Sequence, residues 1–189
     1  YYGFEAAYND INSTGTDENI STGIKVNGPA RYPKSDWTSL ALYLTYQQPI
    51  GSITTIQIGG RYNHFMLNAK FDDTFYPFPF SKANISKGAF TGSVGATINP
   101  SEKWKIKANL STGFRSPNVD DLGKVFDAAP GLVVVPNPDL NAEYAYNAEI
   151  GFTKVFGDYL EVDLTAFYTF LDNAMVKRNS LLNGQDSIM

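Results

Sequence analysis

The chain contains no cysteine. That excludes a disulfide framework and any thiolate metal site. Among its 189 residues it has one histidine, His64. Nucleophilic catalysis of the Ser-His-Asp type needs a positioned base, and His64 falls where an interfacial ring is the simpler reading. No enzymatic activity, no resident metal and no cofactor are therefore expected. Basic residues do not dominate, since 15 Lys and Arg face 19 Asp and Glu for a net charge of −4. Without a basic stripe, nucleic acid is not an expected partner. No apolar run approaches the roughly 18 residues of a transmembrane helix. No signal peptide is read at the start, where Tyr1-Tyr2-Gly3-Phe4 already has strand character. If the chain crosses a membrane, it crosses as tilted strands.

What the chain does have is aromatic content, with 13 Phe and 12 Tyr, and alternation with a period of two. Apolar side chains hold the even positions almost throughout. Seven strands are predicted on this basis. They lie near residues 2–8, 37–47, 53–65, 90–98, 103–110, 143–153 and 160–170. In the fifth, Trp104, Ile106, Ala108 and Leu110 alternate with Lys103, Lys105, Lys107 and Asn109. An outer-membrane strand shows this pattern, with apolar residues toward lipid and polar ones toward the lumen. A soluble sandwich alternates too, with its apolar face inward. Loop length separates the two. The links at 10–36, 68–86 and 115–142 are long, whereas those at 49–51, 99–102 and 157–158 are short. Short periplasmic turns and long extracellular loops produce that rhythm. A soluble domain rarely carries several structureless loops of such length.

Parity adds geometry. Keeping even residues on one face through a hairpin needs an odd number of loop residues. Phe156 should then oppose Leu160 across Gly157-Asp158-Tyr159. Arg115 and Glu143 should also oppose one another if the rims of the two strands align; an ion pair between them would then close the base of the central loop, with two separately solvated rim charges as an equal reading. Lys103, Lys105 and Lys107 are expected to form a lumenal charge ladder with Glu149, Glu161 and Asp163, with a substrate path as the alternative. Aromatics near strand ends (Tyr46, Trp104, Phe156 and Tyr159 at the short turns; Tyr62, Phe114, Tyr144 and Tyr146 at the long loops) suit two interfacial girdles. Gly88, Gly92 and Gly95 suit a strand that bends or approaches another backbone closely. The loop pairs Asp72-Asp73 and Asp120-Asp121 could bind calcium, although solvated acids are the commoner case.

Two phrases in the central region carry more specific information. Phe114-Arg115-Ser116-Pro117 ends one strand. Asn137-Pro138-Asp139-Leu140 makes a turn before the next, which starts near Glu143. Together, in this order, they resemble the loop signature of TonB-dependent outer-membrane receptors, usually spelled close to Phe-Arg-Ala-Pro and Asn-Pro-Asp-Leu-Lys-Pro-Glu. Here Asn141-Ala142 replaces Lys-Pro. The resemblance implies an all-β, antiparallel up-and-down transmembrane barrel in the bacterial outer membrane. Residues 1–189 would be part of one such barrel domain, seven to eight strands of about 22, with the plug domain and the remaining strands outside this chain. It further implies active import of a scarce nutrient, with an iron–siderophore complex as the usual cargo and cobalamin or glycan as the other classes. Energy would come from the TonB complex through the plug. Phe75, Tyr76, Phe78 and Phe80 would be candidate ligand-binding residues of a long loop, although self-packing of that loop is an equal reading. A passive porin-like channel, an adhesin barrel and a soluble β-sandwich remain the alternatives.

Overall fold

The computed structural model describes the whole chain except residues 76, 79, 124–126, 130, 131, 134, 136, 138, 183, 184 and 189, with backbone alone at 123, 127–129, 132, 133, 180, 182 and 185–188. Seven long strands form one antiparallel sheet in the order β1-β4-β5-β6-β7-β10-β11. They are β1 (Tyr2–Ile11), β4 (Lys34–Ile50), β5 (Thr54–Lys70), β6 (Lys82–Ser101), β7 (Trp104–Arg115), β10 (Glu143–Phe156) and β11 (Leu160–Asp172). Each strand pairs with its neighbour along the chain, so the sheet is an up-and-down meander that does not close on itself. Among the described residues, three short antiparallel strand pairs sit in the remaining segments. These are β2 (Gly15–Glu18) with β3 (Lys25–Gly28), β8 (Asp127–Ala129) with β9 (Leu132–Val133), and β12 (Asn179–Leu182) with β13 (Gln185–Ile188). One short helix, α1 (Val119–Gly123), follows β7.

The even face is the outer one. Leu42, Leu44, Leu110 and Leu164 all stand on it and all are exposed. No protein layer covers them, as a lipid-facing surface requires. The apolar band begins at the row Phe4–Leu42–Tyr62–Phe90. It ends near Trp104, one pair beyond Ile98–Ile106. That distance is about ten residues, or roughly 34 Å along a strand. At a tilt near 45° it projects to about 25 Å, the height of an outer-membrane apolar band. At its lower edge the Lys154 Nζ lies 4.0 Å from the Trp104 ring centroid. The lysine stem stays beside hydrocarbon while the ammonium meets an aromatic face at the interface.

The strands run well past the band. β5 has 17 residues and β6 has 20, whereas about 9–11 suffice to cross. Alternation alone places the third strand at 53–65 and the start of the fourth near 90. The missed parts have a physical cause, because the pattern changes phase above the membrane. There the odd face is apolar, with Phe65, Leu67, Ala69, Ala83, Ile85 and Ala89 all buried. The even face becomes polar, as in the row Asp36–Asn68–Asn84. Water replaces lipid outside, and loops cover the inside. The core of this chain is therefore extramembranous, between the upper inner wall of β5 and β6 and the loops folded over it.

The register expectations hold at both tested points, since Phe156 opposes Leu160 and Arg115 opposes Glu143. The lumenal ladder does not form. Register inserts Thr153 between Lys105 and Asp163, and the Thr153 hydroxyl donates to Asp163 instead. Among the described residues no ion pair reaches Lys103, Lys105 or Lys107. On the lumenal face Arg61 pairs with Glu5 at 3.2 Å. Arg61 also donates to Asn63 Oδ1 at 3.2 Å, and Asn63 Nδ2 to Ser39 Oγ at 2.8 Å. Gly88 lies beneath the Tyr62 ring, where an added Cβ would clash with the phenol.

Candidate functional site at the loop end

The first phrase, Phe114 to Asn118, builds the start of α1. Asn118 is its N-cap, and its Oδ1 accepts the Asp121 N–H at 3.0 Å. Asp121 returns the bond, its Oδ2 accepting the Asn118 N–H at 3.1 Å. This reciprocal pair is a capping box, with Asp in the place more often taken by Glu or Gln. Pro117 precedes the cap and Leu122 lies a turn beyond, and both are fully buried. They occupy the two positions of a hydrophobic staple, which sets the angle at which a chain enters a helix. Arg115 locks the assembly by donating to both Asp121 carboxylate oxygens at 2.8–3.0 Å. Phe114 stacks on the buried Phe65, with centroids 6.4 Å apart.

The expected Arg115–Glu143 ion pair is thus corrected. The two residues are cross-strand neighbours, but each turns to a different loop. Arg115 holds α1, and Glu143 Oε2 accepts the Met175 N–H at 3.0 Å in the segment after β11. A carboxylate six residues away on a helix whose capping box already needs it offers the guanidinium a fork-to-fork geometry. Parity across the sheet could not reveal that partner.

The second phrase is also a structural device. Asn137 Oδ1 accepts the Asp139 N–H at 2.9 Å, an Asx-turn. Leu140 then packs against the core and Ala142 is buried in it. Pro138 lies outside the described residues. The acid pair Asp120-Asp121 is divided between partners, because the Tyr32 hydroxyl donates to Asp120 Oδ1 at 2.8 Å. This bond ties the first long loop to the helix of the third. Asp120, its accepting carboxylate, raises the Tyr32 phenol above its usual pKa, with burial adding to the effect and Arg31 opposing it. Asp72 is held below the usual carboxylate range by Thr74, whose hydroxyl and backbone N–H both bond to it. Among the described residues no three acids or histidines gather as a metal site would require. His64 Nε2 lies 3.1 Å from Ser86 Oγ on the outer face.

The four aromatic candidates separate. Phe78 and Phe80 stack on one another with centroids 5.9 Å apart, and both meet Phe71 edge to face. Phe78 is buried in the core and Phe80 packs on it. These rings are loop anchors. Tyr76 lies outside the described residues. Phe75 is exposed and borders a cleft of about 430 Å³ with Tyr32, Lys34, Lys70, Asp72 and Asp73. A second cleft of about 520 Å³ is bordered by Asp120, Asp139, Asn141, Met175, Lys177 and Arg178. Both offer charge of either sign and hydrogen-bonding groups on backbone that the loop core holds in place. That suits reversible binding.

An incomplete up-and-down sheet with a lipid-facing band of membrane height and structured outer loops defines a segment of a bacterial outer-membrane β-barrel. The family described as "TonB dependent receptor-like, beta-barrel" matches residues 1–185, and the chain belongs to it. A hemoglobin and hemoglobin-haptoglobin-binding protein of Haemophilus ducreyi is 36% identical over 106 residues, covering 54% of this chain and 11% of that protein. The vitamin B12 transporter BtuB of Vibrio vulnificus is 30% identical over 86 residues, covering 46% of this chain and 12% of the transporter. Among solved structures, the Serratia marcescens hemophore receptor HasR, in complex with its hemophore HasA and heme, superposes with a TM-score of 0.74 at 14% identity, covering 99% of this chain and 33% of HasR. That last likeness is one of fold. The matched parts span about a tenth of the length of these curated relatives.

Proposed function

We propose that this chain is the barrel-wall and outer-loop portion of a receptor that imports an iron complex, with energy supplied through TonB. Family membership supports nutrient uptake. The finer reading rests on one observation, the 36% identity to a protein named for binding hemoglobin. It favours heme-borne iron over the iron–siderophore expected from the two loop phrases alone. The loop core supports a receptor role as well. The first and third long loops are joined by Tyr32–Asp120, the third is braced by Arg115–Asp121, and its end is joined to the segment after β11 by Glu143–Met175, so a ligand meets a preorganised surface and binding loses less ordering entropy.

The test is growth under iron starvation of a strain lacking the full-length receptor, with and without the gene restored. Hemoglobin, free heme, a ferric siderophore and, in a separate cobalamin-dependent assay, vitamin B12 are offered singly. Receptor-dependent growth on heme or hemoglobin is expected. Dependence on B12 alone, or on no tested nutrient, would overturn the iron reading.

A further inference from the structure

The wall is split between β6 and β7 at its upper end. Their backbone ladder climbs only to Ser93–Ser111. β5 and β6, by contrast, stay paired up to Lys70–Lys82. In the next row a side chain replaces the ladder. By register Gly92 should exchange backbone bonds with Thr112, but its N–H donates to Thr112 Oγ1 at 2.8 Å. The same hydroxyl donates to the Gly92 carbonyl at 3.3 Å. Further up, the Phe90 N–H bypasses β7 altogether and donates to the phenol oxygen of Tyr144 on β10 at 3.2 Å. Among the described residues no strand pairs with β6 on this side above Ser93. The split starts at the top of the apolar band, where Phe90 stands opposite Tyr62. On the lipid side a groove of about 670 Å³ lies over it, bordered by Phe90, Gly92, Leu110, Thr112, Tyr144 and Tyr146.

The third long loop closes this split from inside. Phe114, which continued pairing would set opposite Phe90, stacks instead on the buried Phe65 of β5. α1 then crosses back over β6, and its Val119 and Leu122 share one buried cluster with Ala83, Ile85 and Ala89. Arg115 and Asp121 fix the helix to the end of β7. We infer that the junction is a parting joint in the barrel wall, with α1 as the strap that holds it shut. When the strap lifts, β7, β10 and β11 separate from β6 as far down as Gly92–Thr112. At the joint itself the bonds that break are the side-chain ones at Gly92 and Phe90. Each is a single hydrogen bond of modest net strength. The cooperative ladder that begins at Ser93–Ser111 stops the parting there. The loop-bearing half of the wall thus moves against the other half while the membrane rows stay paired. The inference concerns the wall and is independent of the cargo.

The experiment is residue-resolved hydrogen exchange on the full-length receptor in detergent. The amides of Phe90 and Gly92 report on the joint. Those of Val94 and Ala96, which face β7 within the ladder, report on the wall below it. The strap variant Val119→Ala/Leu122→Ala removes buried contacts and should raise exchange at Phe90 and Gly92 by about tenfold or more. Val94 and Ala96 should not change. Tyr144→Phe should raise exchange at Phe90 alone, and Thr112→Val at Gly92 alone, each by about fivefold for one lost hydrogen bond. Thr112→Ser keeps the hydroxyl and should keep wild-type exchange at Gly92. Unchanged exchange at Phe90 and Gly92 in the strap variant would overturn the joint. So would an equal rise at Val94 and Ala96, which would mean that the wall unzips as a whole.

Discussion

Removing the Asp121 carboxylate tests the central loop most directly. Asp121→Ala deletes two functions at once. It strips Arg115 of a forked acceptor held at 2.8–3.0 Å, and it leaves the Asn118 N–H without its acceptor. The ion pair is partly solvated, with side-chain exposure of 47% for Arg115 and 18% for Asp121. Discounted for that, it contributes about 0.5–1 kcal/mol. The capping half contributes about another 1 kcal/mol. The sum, roughly 1.5–2 kcal/mol, corresponds to a ten- to thirtyfold rise in local opening, at 1.36 kcal/mol per tenfold. Local opening, unlike barrel unfolding, is read by hydrogen exchange. The reporter is the Leu122 amide, which donates to Asn118 O at 3.0 Å. Its protection in the full-length receptor should fall by that factor, while amides in the membrane rows of β7 and β10 stay unchanged. Arg115→Lys should lose about half the effect of Arg115→Ala, since an ammonium keeps the charge without the fork. Unchanged protection at Leu122 in Asp121→Ala would refute the idea that the strand-end phrase exists to start this helix.

Other perturbations probe the two media and the loop core. Leu122→Ala empties a fully buried site and should destabilise the loop core by about 2–5 kcal/mol, read as faster protease nicking within residues 116–142. Leu110→Arg places a charge near the middle of the lipid-facing band and should cost about 2–4 kcal/mol in refolding into vesicles; a cost near zero would mean that Leu110 does not face hydrocarbon. For Asp72 the folded pKa lies below its ordinary 3.8. The stability that this acid contributes is therefore present above pH 3.8 and is lost as pH falls through the lower folded value, so exchange at the Thr74 amide should rise only in that acid range. For Tyr32 the folded pKa lies above 10.0, so its contribution is complete below pH 10 and is lost as pH rises through the higher value. Tyr32→Phe should accordingly loosen the contact between the first loop and α1 at neutral pH, with no further change in alkali.

Several features were legible in the sequence because they obey local rules. A period of two assigns each side chain to a face, and parity through a tight turn fixes register, which is why the Phe156–Leu160 and Arg115–Glu143 oppositions could be stated in advance. The two loop phrases pointed to the family for a similar reason. Asn118, Pro117, Asn137 and Leu140 do their work within a few residues of themselves, as caps, staples and turns. The clustering of Phe71, Phe78 and Phe80 was less legible, since an aromatic run reads equally as a binding tip and as an anchor.

The sequence by itself therefore determined that the chain is a ribbon of alternating strands, which residues share a face, and which family its turns belong to. Only the tertiary structure decided what each face touches at each height. Period two distinguishes two sides but is silent about the medium on either one. Above the membrane the media exchange, water taking the outer side and packed loops the inner, so the apolar residues change parity from even to odd. The partner of Arg115 was decided in the same way, by a helix that folds back over the wall and offers the Asp121 carboxylate, while the carboxylate of the cross-strand neighbour Glu143 accepts from Met175.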